Sequence, residues 1–490
     1  MLTLFLLLPV AGALLAVALP AHREGEAKVI ALAFSALNLA VSLVMYAVFD
    51  RSTAGYQFVD RFEWIAGGAA GFSVHYVVGV DGLSAPLVVL LGLLSVVAVL
   101  VSWRIDVRPK QYFAWLLILE SAVAGVFLSL DLIQFFLFWE LELLPMYFLI
   151  SQWGSGRRLY SATKFLLYTL AGSALMLVGF LVLGLSAKTF EIEALTKTPP
   201  QETVVPLAIV FWAIMLAFLV KLPVFPVHTW LPDAHTDAPT AVSVMLAGVL
   251  LKMGGYGILR IVLPLMPQQA HDFSKVLATL AGFSVVWGAI ITLRQTDLKR
   301  LVAYSSVSHM GYVLLGVSAL GSVGLSGAAL QMFTHGCITG LLFVMVGMIY
   351  DRTHTREIAR MTGLMHHMPL IGTVFVIAGL ASLGLPAMSG FVAELTVFLG
   401  SIEAHPAATM AAVFGVVLSA GYILWTVERI LHGPKTHDFH DLADARQWWE
   451  LTAMAALVVV IVGVGIWPAV LTDTVRGGIE PIAKIVEAAS

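Results

Sequence analysis

The sequence is poor in the residues on which many soluble enzymes depend. It contains one cysteine, Cys337, in 490 residues, which excludes an intrachain disulfide and any cluster or zinc site held by several cysteines. Charged residues make up only 12%, against about 25% in soluble proteins. No run of like charges indicates a nucleic-acid interface. If electrons move in the system to which this chain belongs, they move on another chain.

Apolar residues dominate instead. They form 59% of the chain, and the mean hydropathy is +0.93. A spanning helix needs about 20 mostly apolar residues, and about fourteen such runs can be counted. They lie at 2–20, 28–49, 83–103, 111–130, 132–152, 161–186, 204–223, 240–263, 275–294, 299–320, 325–350, 369–386, 407–431 and 449–471. The fold class is therefore an all-α polytopic membrane protein.

Two of these runs are interrupted by proline. The seventh continues past Pro223 and Pro226 into PVHTWLPDAH, and the twelfth continues past Pro386 into GFVAELTVFLG. Runs four to eight and nine to thirteen form two sets of five, each with its fourth member broken. Since five is odd, the second set starts from the opposite side of the membrane, which predicts inverted repeats with broken helices, as in transporters.

This pattern divides one membrane domain, 1–490, into four parts. They are N-terminal helices at 1–110, a first repeat at 111–264, a second, inverted repeat at 274–432, and a last helix with its tail at 449–490. Basic residues are about twice as frequent in the connections on one side as on the other, and the richer side should be cytoplasmic. Both termini should then face the non-cytoplasmic side.

Several ionisable residues fall inside predicted spans, and six of them are the main candidates. An ionisable side chain at mid-membrane costs roughly 2.5–3.5 kcal/mol on insertion scales and is a functional candidate by default. In chain order the six belong to runs 5, 7, 8, 10, 11 and 12, which predicts a polar line parallel to the membrane plane. They are Glu140, Lys221, Lys252, His309, His335 and Glu394.

Glu140 and Lys221 have opposite charges in the same repeat. A carboxylate within ion-pair range would hold the lysine protonated, and its removal would favour proton release, so the two predict a proton switch. Glu142 lies about 200° round an ideal helix from Glu140 and is a secondary candidate, as is His228 beside the first break. Glu120 is either a further intramembrane acid or a helix-end residue.

Less specific interpretations exist for each residue alone. A single buried histidine such as His335 is usually a packing residue, and Glu140 with Lys221 could be an ion pair that only holds two helices together. Six such residues on six runs, two of them beside broken segments, make a purely structural explanation of the whole set unfavourable.

The motifs FWELELLPMYF, VKLPVFPVHTWLPDAHTDAPT and GLPAMSGFVAE closely resemble the antiporter-like subunits of respiratory complex I, and among these the subunit M type of NADH-quinone oxidoreductase. The resemblance runs from DGLSAPLVVL at residue 81 to about residue 430. It implies a fourteen-helix, proton-translocating subunit of the membrane arm. In such a translocase this chain is the non-redox part, and flavin, iron–sulfur clusters, NADH and quinone belong to partner subunits.

By the same resemblance, Glu140 corresponds to the family's essential glutamate and Lys221 to its pumping lysine. Lys252, His309 and His335 correspond to residues that link two half-channels. Glu394 indicates the subunit M type, since other antiporter-like subunits carry lysine at this position. Glu142 departs from the apolar residue expected there and leaves an altered input path open.

The resemblance implies partners in the membrane arm, including neighbouring antiporter-like subunits, within a lipid bilayer and without nucleic acid. Three alternatives remain at this point. The chain could serve a cation/proton antiporter or membrane-bound hydrogenase complex, act alone as a secondary transporter, or be an inert scaffold. No metal site and no cofactor on this chain are expected.

Overall fold

The computed structural model describes residues 1–51, 53, 55–65, 73–200, 203–434 and 442–489. These residues are mostly helical, and eleven segments among them are long and apolar enough to cross a membrane. The three remaining predicted spans correspond to shorter apolar helices. In chain order the first twelve helices are α1 (Leu2–Ala18), α2 (Ala27–Val48), α3 (Ser84–Val101), α4 (Pro109–Leu128), α5 (Leu132–Leu141), α6 (Leu143–Trp153), α7 (Arg158–Ala187), α8 (Ile192–Lys197), α9 (Leu207–Lys221), α10 (Trp230–Asp237), α11 (Thr240–Met245) and α12 (Leu251–Gly257).

The second half of the chain continues in the same way. Its helices are α13 (Leu263–Leu265), α14 (Pro267–Leu293), α15 (Leu298–Ser318), α16 (Ser322–Thr353), α17 (Pro369–Ser382), α18 (Ser389–Ser401), α19 (Pro406–Leu431), α20 (Trp448–Ile466) and α21 (Ala469–Glu487). Short 3₁₀ segments lie at Ala21–Glu26, Ile358–Arg360 and Leu364–His366, and π-helical turns lie at Leu246–Leu250 and Ile258–Val262.

The helices are not equally buried. The apolar stretches of the segment Thr240–Leu265 and of helix α16 are buried along their whole length, and that of α15 is nearly so. Helices α2, α19 and α20 expose most of their apolar surface, which suits contact with lipid or with other chains. Polar side chains on the inner helices are therefore shielded from lipid by the outer ones.

Both proline-rich interruptions are present. Helix α9 ends at Lys221, and turns lead through Pro223 and Pro226 to α10. Helix α17 ends at Ser382, and α18 begins at Ser389. Proline lacks a backbone N–H and cannot continue the helical hydrogen-bond ladder, so carbonyls of the preceding turn are freed at each break. The inverted relation between the two halves of the chain stays a prediction.

A β-hairpin between α2 and α3 was not predicted. Strand β1 (Gln57–Ile65) pairs antiparallel with β2 (Val74–Val80), so that Gln57 faces Val80 and Phe62 faces Tyr76. Helix α2 leaves the side with the more basic connections and α3 returns to it. The hairpin that joins them therefore lies on the opposite side. We call this side the outer side.

The C-terminal helix α21 is amphipathic. Its apolar residues recur every three or four positions, from Leu471 through Ile479 to Val486, and pack on α16, α13 and α3. Gly82 and Gly478 touch backbone to backbone at this contact, and a Cβ atom on either would overlap the other chain segment. The absence of two side chains is what lets α21 approach the start of α3.

Candidate functional site

The buried charges nearest the first break form an ion pair. Lys221 is the last residue of α9, and its ammonium donates to Oε1 of Glu142; both side chains are fully buried. The ammonium also lies 5.4 Å from the ring centroids of Trp139 and Phe165. An amine held by one carboxylate and two aromatic faces is suited to binding and releasing a proton.

The predicted partner of Lys221, Glu140, is not the direct one. Glu140 is partly exposed and interacts with Lys221 only electrostatically, and its Oε1 has no hydrogen-bond partner among the described residues. The buried stripe of α5 continues from Phe135 through Trp139 to Glu142, so Glu142 faces the interior. Glu140 stands on the neighbouring stripe with exposed Leu137. The carboxylate in contact with Lys221 is therefore that of Glu142, the secondary candidate.

The other four predicted residues form a second, connected group. Lys252 Nζ lies 2.7 Å from His335 Nδ1 and also donates to the carbonyl of Ala247. The rings of His335 and His309 have centroids 5.5 Å apart. His309 Nδ1 lies 3.4 Å from Glu394 Oε1. All four side chains are buried, on α12, α16, α15 and α18. This group could pass a proton laterally.

One further side chain joins this group. Ser382, the last residue of α17, places its hydroxyl 3.3 Å from His309 Nε2. Both ring nitrogens of His309 therefore have a polar neighbour, one a carboxylate and the other a hydroxyl. The break after α17 brings Ser382 and Glu394 to the same imidazole.

The line predicted from the sequence is thus two groups, one around Lys221 and one around Lys252. No hydrogen bond or ion pair joins them within the described ranges. Between them α9 packs tightly on α12, and a Cβ atom on Gly254 would lie 2.6 Å from the carbonyl oxygen of Phe218. A proton passing from Lys221 to Lys252 needs water or a movement of side chains.

Two histidines lie near the first break. His228, a secondary candidate, is buried with its ring 5.8 Å from that of Phe225 and its Nδ1 unpartnered within the described chain. His235, on α10, was missed by the sequence analysis. Its ring stacks on Phe343 at 4.7 Å, and both of its nitrogens lack partners in the part of the chain that the structure describes. It interacts electrostatically with Lys252 and Lys299.

Lys299, at the start of the tenth predicted span, is a further buried cation. It lies at the start of α15, where its ammonium donates to the carbonyl of Ala238. Lys299 borders a cavity of about 450 Å³ on the more basic side, whose lining also includes Asp351 and His354.

Several buried polar atoms near these groups have no partner within the described segments. They include Trp139 Nε1, Glu142 Oε2, Gln331 Oε1, the hydroxyl of Thr334 and His335 Nε2. A buried polar group without a hydrogen bond is costly, and internal water is the usual way to satisfy it. Their clustering beside the acids, amines and imidazoles identifies a region suited to hydration.

Glu120 is a further intramembrane acid and not a helix-end residue. It lies in the middle of α4, where Ser35 Oγ and Asn38 Nδ2 donate to its two carboxyl oxygens at 2.8 and 2.9 Å. No cation lies within ion-pair distance of it in the described part of the chain. It faces α2 and stands apart from both polar groups.

In the residues that the structure describes, no cluster of three or more histidine, cysteine, aspartate or glutamate side chains is placed to hold a metal ion. What the site contains is an ion pair and a short chain of an amine, two imidazoles and a carboxyl group. Such an arrangement can bind, hold and transfer protons.

Comparison with known proteins gives consistent results. A family model described as "NADH:quinone oxidoreductase/Mrp antiporter, TM" matches residues 129–419. NADH-quinone oxidoreductase subunit M of Rhodobacter capsulatus is 40% identical over 94% of this chain and 91% of its own length. NAD(P)H-quinone oxidoreductase chain 4 2 of Thermosynechococcus vestitus is 40% identical over 100% of this chain and 92% of its own.

Solved structures share the fold. A chain of respiratory complex I from Thermus thermophilus with bound NADH superposes with a TM-score of 0.90 and 29% identity, covering 99% of this chain and 100% of that one. A chain of the Mrp complex from Dietzia sp. DQ12-45-1b gives a TM-score of 0.86 at 22% identity, covering 100% and 98%. At that identity the second similarity indicates the fold alone.

Proposed function

Since the chain belongs to the NADH:quinone oxidoreductase/Mrp antiporter family of membrane proteins, we propose that it translocates protons as a non-redox membrane subunit of a complex I-like NADH:quinone oxidoreductase. The observation that carries this proposal is the buried chain from Lys252 through His335 and His309 to Glu394. Groups of this kind are rare inside membranes and occur in proton relays.

The ion pair of Lys221 and Glu142 acts as the switch. A lysine ammonium keeps its proton while a carboxylate lies against it and gives the proton up more readily when the counter-charge is removed. Glu140, two residues from Glu142 and in the field of Lys221, offers a second place for negative charge. A shift of the negative charge from Glu142 to Glu140 would change the proton affinity of Lys221.

Released protons pass along the second polar group. Lys252 hands its proton to His335, whose ring faces His309, and His309 hands it to Glu394. Imidazoles suit this step because one ring nitrogen can accept a proton while the other donates one. Protons enter from the basic, cytoplasmic side near the buried Lys299 and leave on the outer side near Glu394.

The energy for this transport comes from elsewhere. Moving one proton against the membrane potential requires about 2.3 kcal/mol per 100 mV. Flavin, iron–sulfur clusters, NADH and quinone act on partner subunits, and neighbouring antiporter-like subunits in the membrane arm transmit the drive. The chain lies in a bacterial-type inner membrane or its equivalent, with both termini on the non-cytoplasmic side.

The test uses the assembled complex reconstituted into sealed vesicles. Lys221→Ala and Glu140→Ala, each made separately, are expected to abolish proton pumping measured with a pH-sensitive dye during NADH oxidation. Lys197→Ala is the matched control, because Lys197 is an exposed residue paired with Glu193 far from both polar groups. Near-normal pumping by either alanine variant at normal assembly would overturn the proposal.

A further inference from the structure

The outer end of the helical segment that carries Lys252 contains a second buried charge that the proposed mechanism does not use. Lys252, Tyr256 and Arg260 follow one another at intervals of four residues, which places them on one face. Arg260 Nε donates to the hydroxyl of Tyr256 at 3.2 Å. This face therefore leads from the Lys252 group toward the hairpin on the outer side.

Arg260 is held from several directions. Its guanidinium forms an ion pair with Asp81 Oδ1 at 2.5 Å and donates to the hydroxyl of Tyr56 at 3.1 Å. Tyr256 in turn donates to the carbonyl of Phe127 at 2.9 Å. Arg260, Asp81 and Tyr256 are all buried. The guanidinium lies between Lys252 and the outer aqueous phase and has little freedom to swing aside.

Asp81 is fixed as firmly as its partner. Its Oδ1 accepts hydrogen bonds from the backbone of Leu83 and Ser84 at 3.1 and 3.0 Å, at the start of α3. The carboxylate thus caps a helix and holds the arginine at the same time. Asp81 opens the DGLSAPLVVL motif, which the proposed function leaves without a role.

Resting on the proposed function, we propose that Arg260, positioned by Asp81, closes the outer end of the Lys252 group to protons. Arginine stays protonated at any physiological pH, so it cannot relay a proton by releasing its own. Because Asp81 balances its charge, the barrier consists of the proton that the arginine does not release and of the space that the guanidinium fills. Protons on Lys252 are then confined to the lateral route through His335.

A purely structural ion pair is the competing explanation, and it predicts a different outcome. Loss of such a pair would weaken attachment of the hairpin and of α3 without opening a route from Lys252. Proton leakage across the membrane distinguishes the two explanations, because it responds to a barrier on the route and not to stability alone.

The experiment measures passive proton permeability of vesicles that hold the assembled complex, without NADH, after an imposed pH gradient. The variant Arg260→Gln/Asp81→Asn removes both charges together, so that neither is left buried without its partner. We expect its permeability to rise at least about tenfold, the effect of lowering a barrier by about 1.4 kcal/mol. Adding Lys252→Met should abolish this rise, because the leak passes through Lys252.

The matched control is Arg352→Gln/Glu450→Gln. It removes another largely buried ion pair, 2.9 Å long, near the basic side of the membrane, and should leave permeability unchanged. Unchanged permeability in the assembled Arg260→Gln/Asp81→Asn variant would overturn the proposal. An equal rise in the control, or a leak that persists with Lys252→Met, would overturn it as well.

If the double variant fails to assemble, Arg260→Lys carries the test. Lysine keeps the ion pair with Asp81 but can release its proton, so proton permeability should rise by a smaller factor. Permeability equal to that of the parent complex would contradict the proposal that Arg260 is a barrier to protons. Failure of the proposed function is recognised separately, by pumping in Lys221→Ala, since that measurement does not depend on the leak.

Discussion

The ammonium of Lys221 is paired with Glu142 and not with Glu140, although the two carboxylates are only two residues apart. The pairing follows from the buried face of α5, on which Trp139 and Glu142 succeed one another. Lys221 therefore contacts the carboxylate of Glu142 and has the partly exposed carboxylate of Glu140 nearby. This pair gives the first prediction.

Lys221→Met and Glu142→Leu should each destabilise the protein by about 3–5 kcal/mol, because each leaves a buried charge without its partner. The double variant should be less destabilised than the sum of the single variants, by roughly 1–3 kcal/mol. Thermal unfolding of the purified complex in detergent measures all three. The same cycle with Glu140→Leu in place of Glu142→Leu serves as the control and should show a smaller coupling. Equal couplings would contradict the assignment of Glu142 as the direct partner.

His235 should contribute to proton entry. His235→Phe keeps a flat ring stacked on Phe343 but removes both nitrogens. We expect assembly to be normal and pumping to fall at least about tenfold, since a positioned proton-transfer group typically contributes about 10²–10⁴-fold to a rate. His354→Phe, which changes a histidine lining the cavity beside Lys299, is a control expected to have a smaller effect. Unchanged pumping in His235→Phe would show that protons enter without this imidazole.

Glu120 should matter for stability and not for pumping. In Glu120→Gln the side chain keeps one oxygen for Asn38 and an amide group that Ser35 can accept from, so assembly and pumping should stay near normal. Glu120→Leu leaves both partners without hydrogen bonds and should cost about 1–3 kcal/mol. Unfolding and pumping measured on the same samples separate the two effects. A loss of pumping in well-assembled Glu120→Gln would place this acid on the proton route.

The contact between Gly82 and Gly478 predicts a sharp difference between neighbouring positions. Gly478→Ala should destabilise the complex by about 1–3 kcal/mol, because its Cβ would overlap the backbone of Gly82 and Leu83. Gly477→Ala is the control, since its Cβ would meet only the carbonyl of Arg51 at 3.5 Å. Melting temperatures of the two variants check this, and similar values would contradict the close packing of α21 on α3.

The spans and their breaks could be predicted because the lipid interior imposes a length and an apolar composition that local sequence shows directly. Prolines 223, 226 and 386 mark both interruptions for an equally local reason. The hairpin at 57–80 escaped prediction because it lies outside the membrane, where no such constraint applies. Its alternation of polar and apolar residues is interrupted by shifts in strand register.

The side-chain partners were harder to predict than the spans. Nearly every residue of α5 and α6 is apolar, so periodicity could not tell which stripe faces inward, and Glu140 was preferred to Glu142. His235 lies in PDAHTDAPT, whose polar residues resemble a loop, although the structure places it in helix α10. Lys299 begins the tenth predicted span, and only its tertiary contact with the carbonyl of Ala238 shows that its side chain is buried.

The two π-helical turns, Leu246–Leu250 and Ile258–Val262, stand on either side of Lys252. A π turn is an α-helical turn that has absorbed one additional residue. Deleting a single amino acid from the first of them would restore ordinary winding and leave Lys252 facing His335, whereas a deletion between this turn and Lys252 would rotate everything that follows by about 100° and carry the amine away from His335. The two π turns are therefore the places in this segment where the chain could lose one residue and still present Lys252 to the same neighbours.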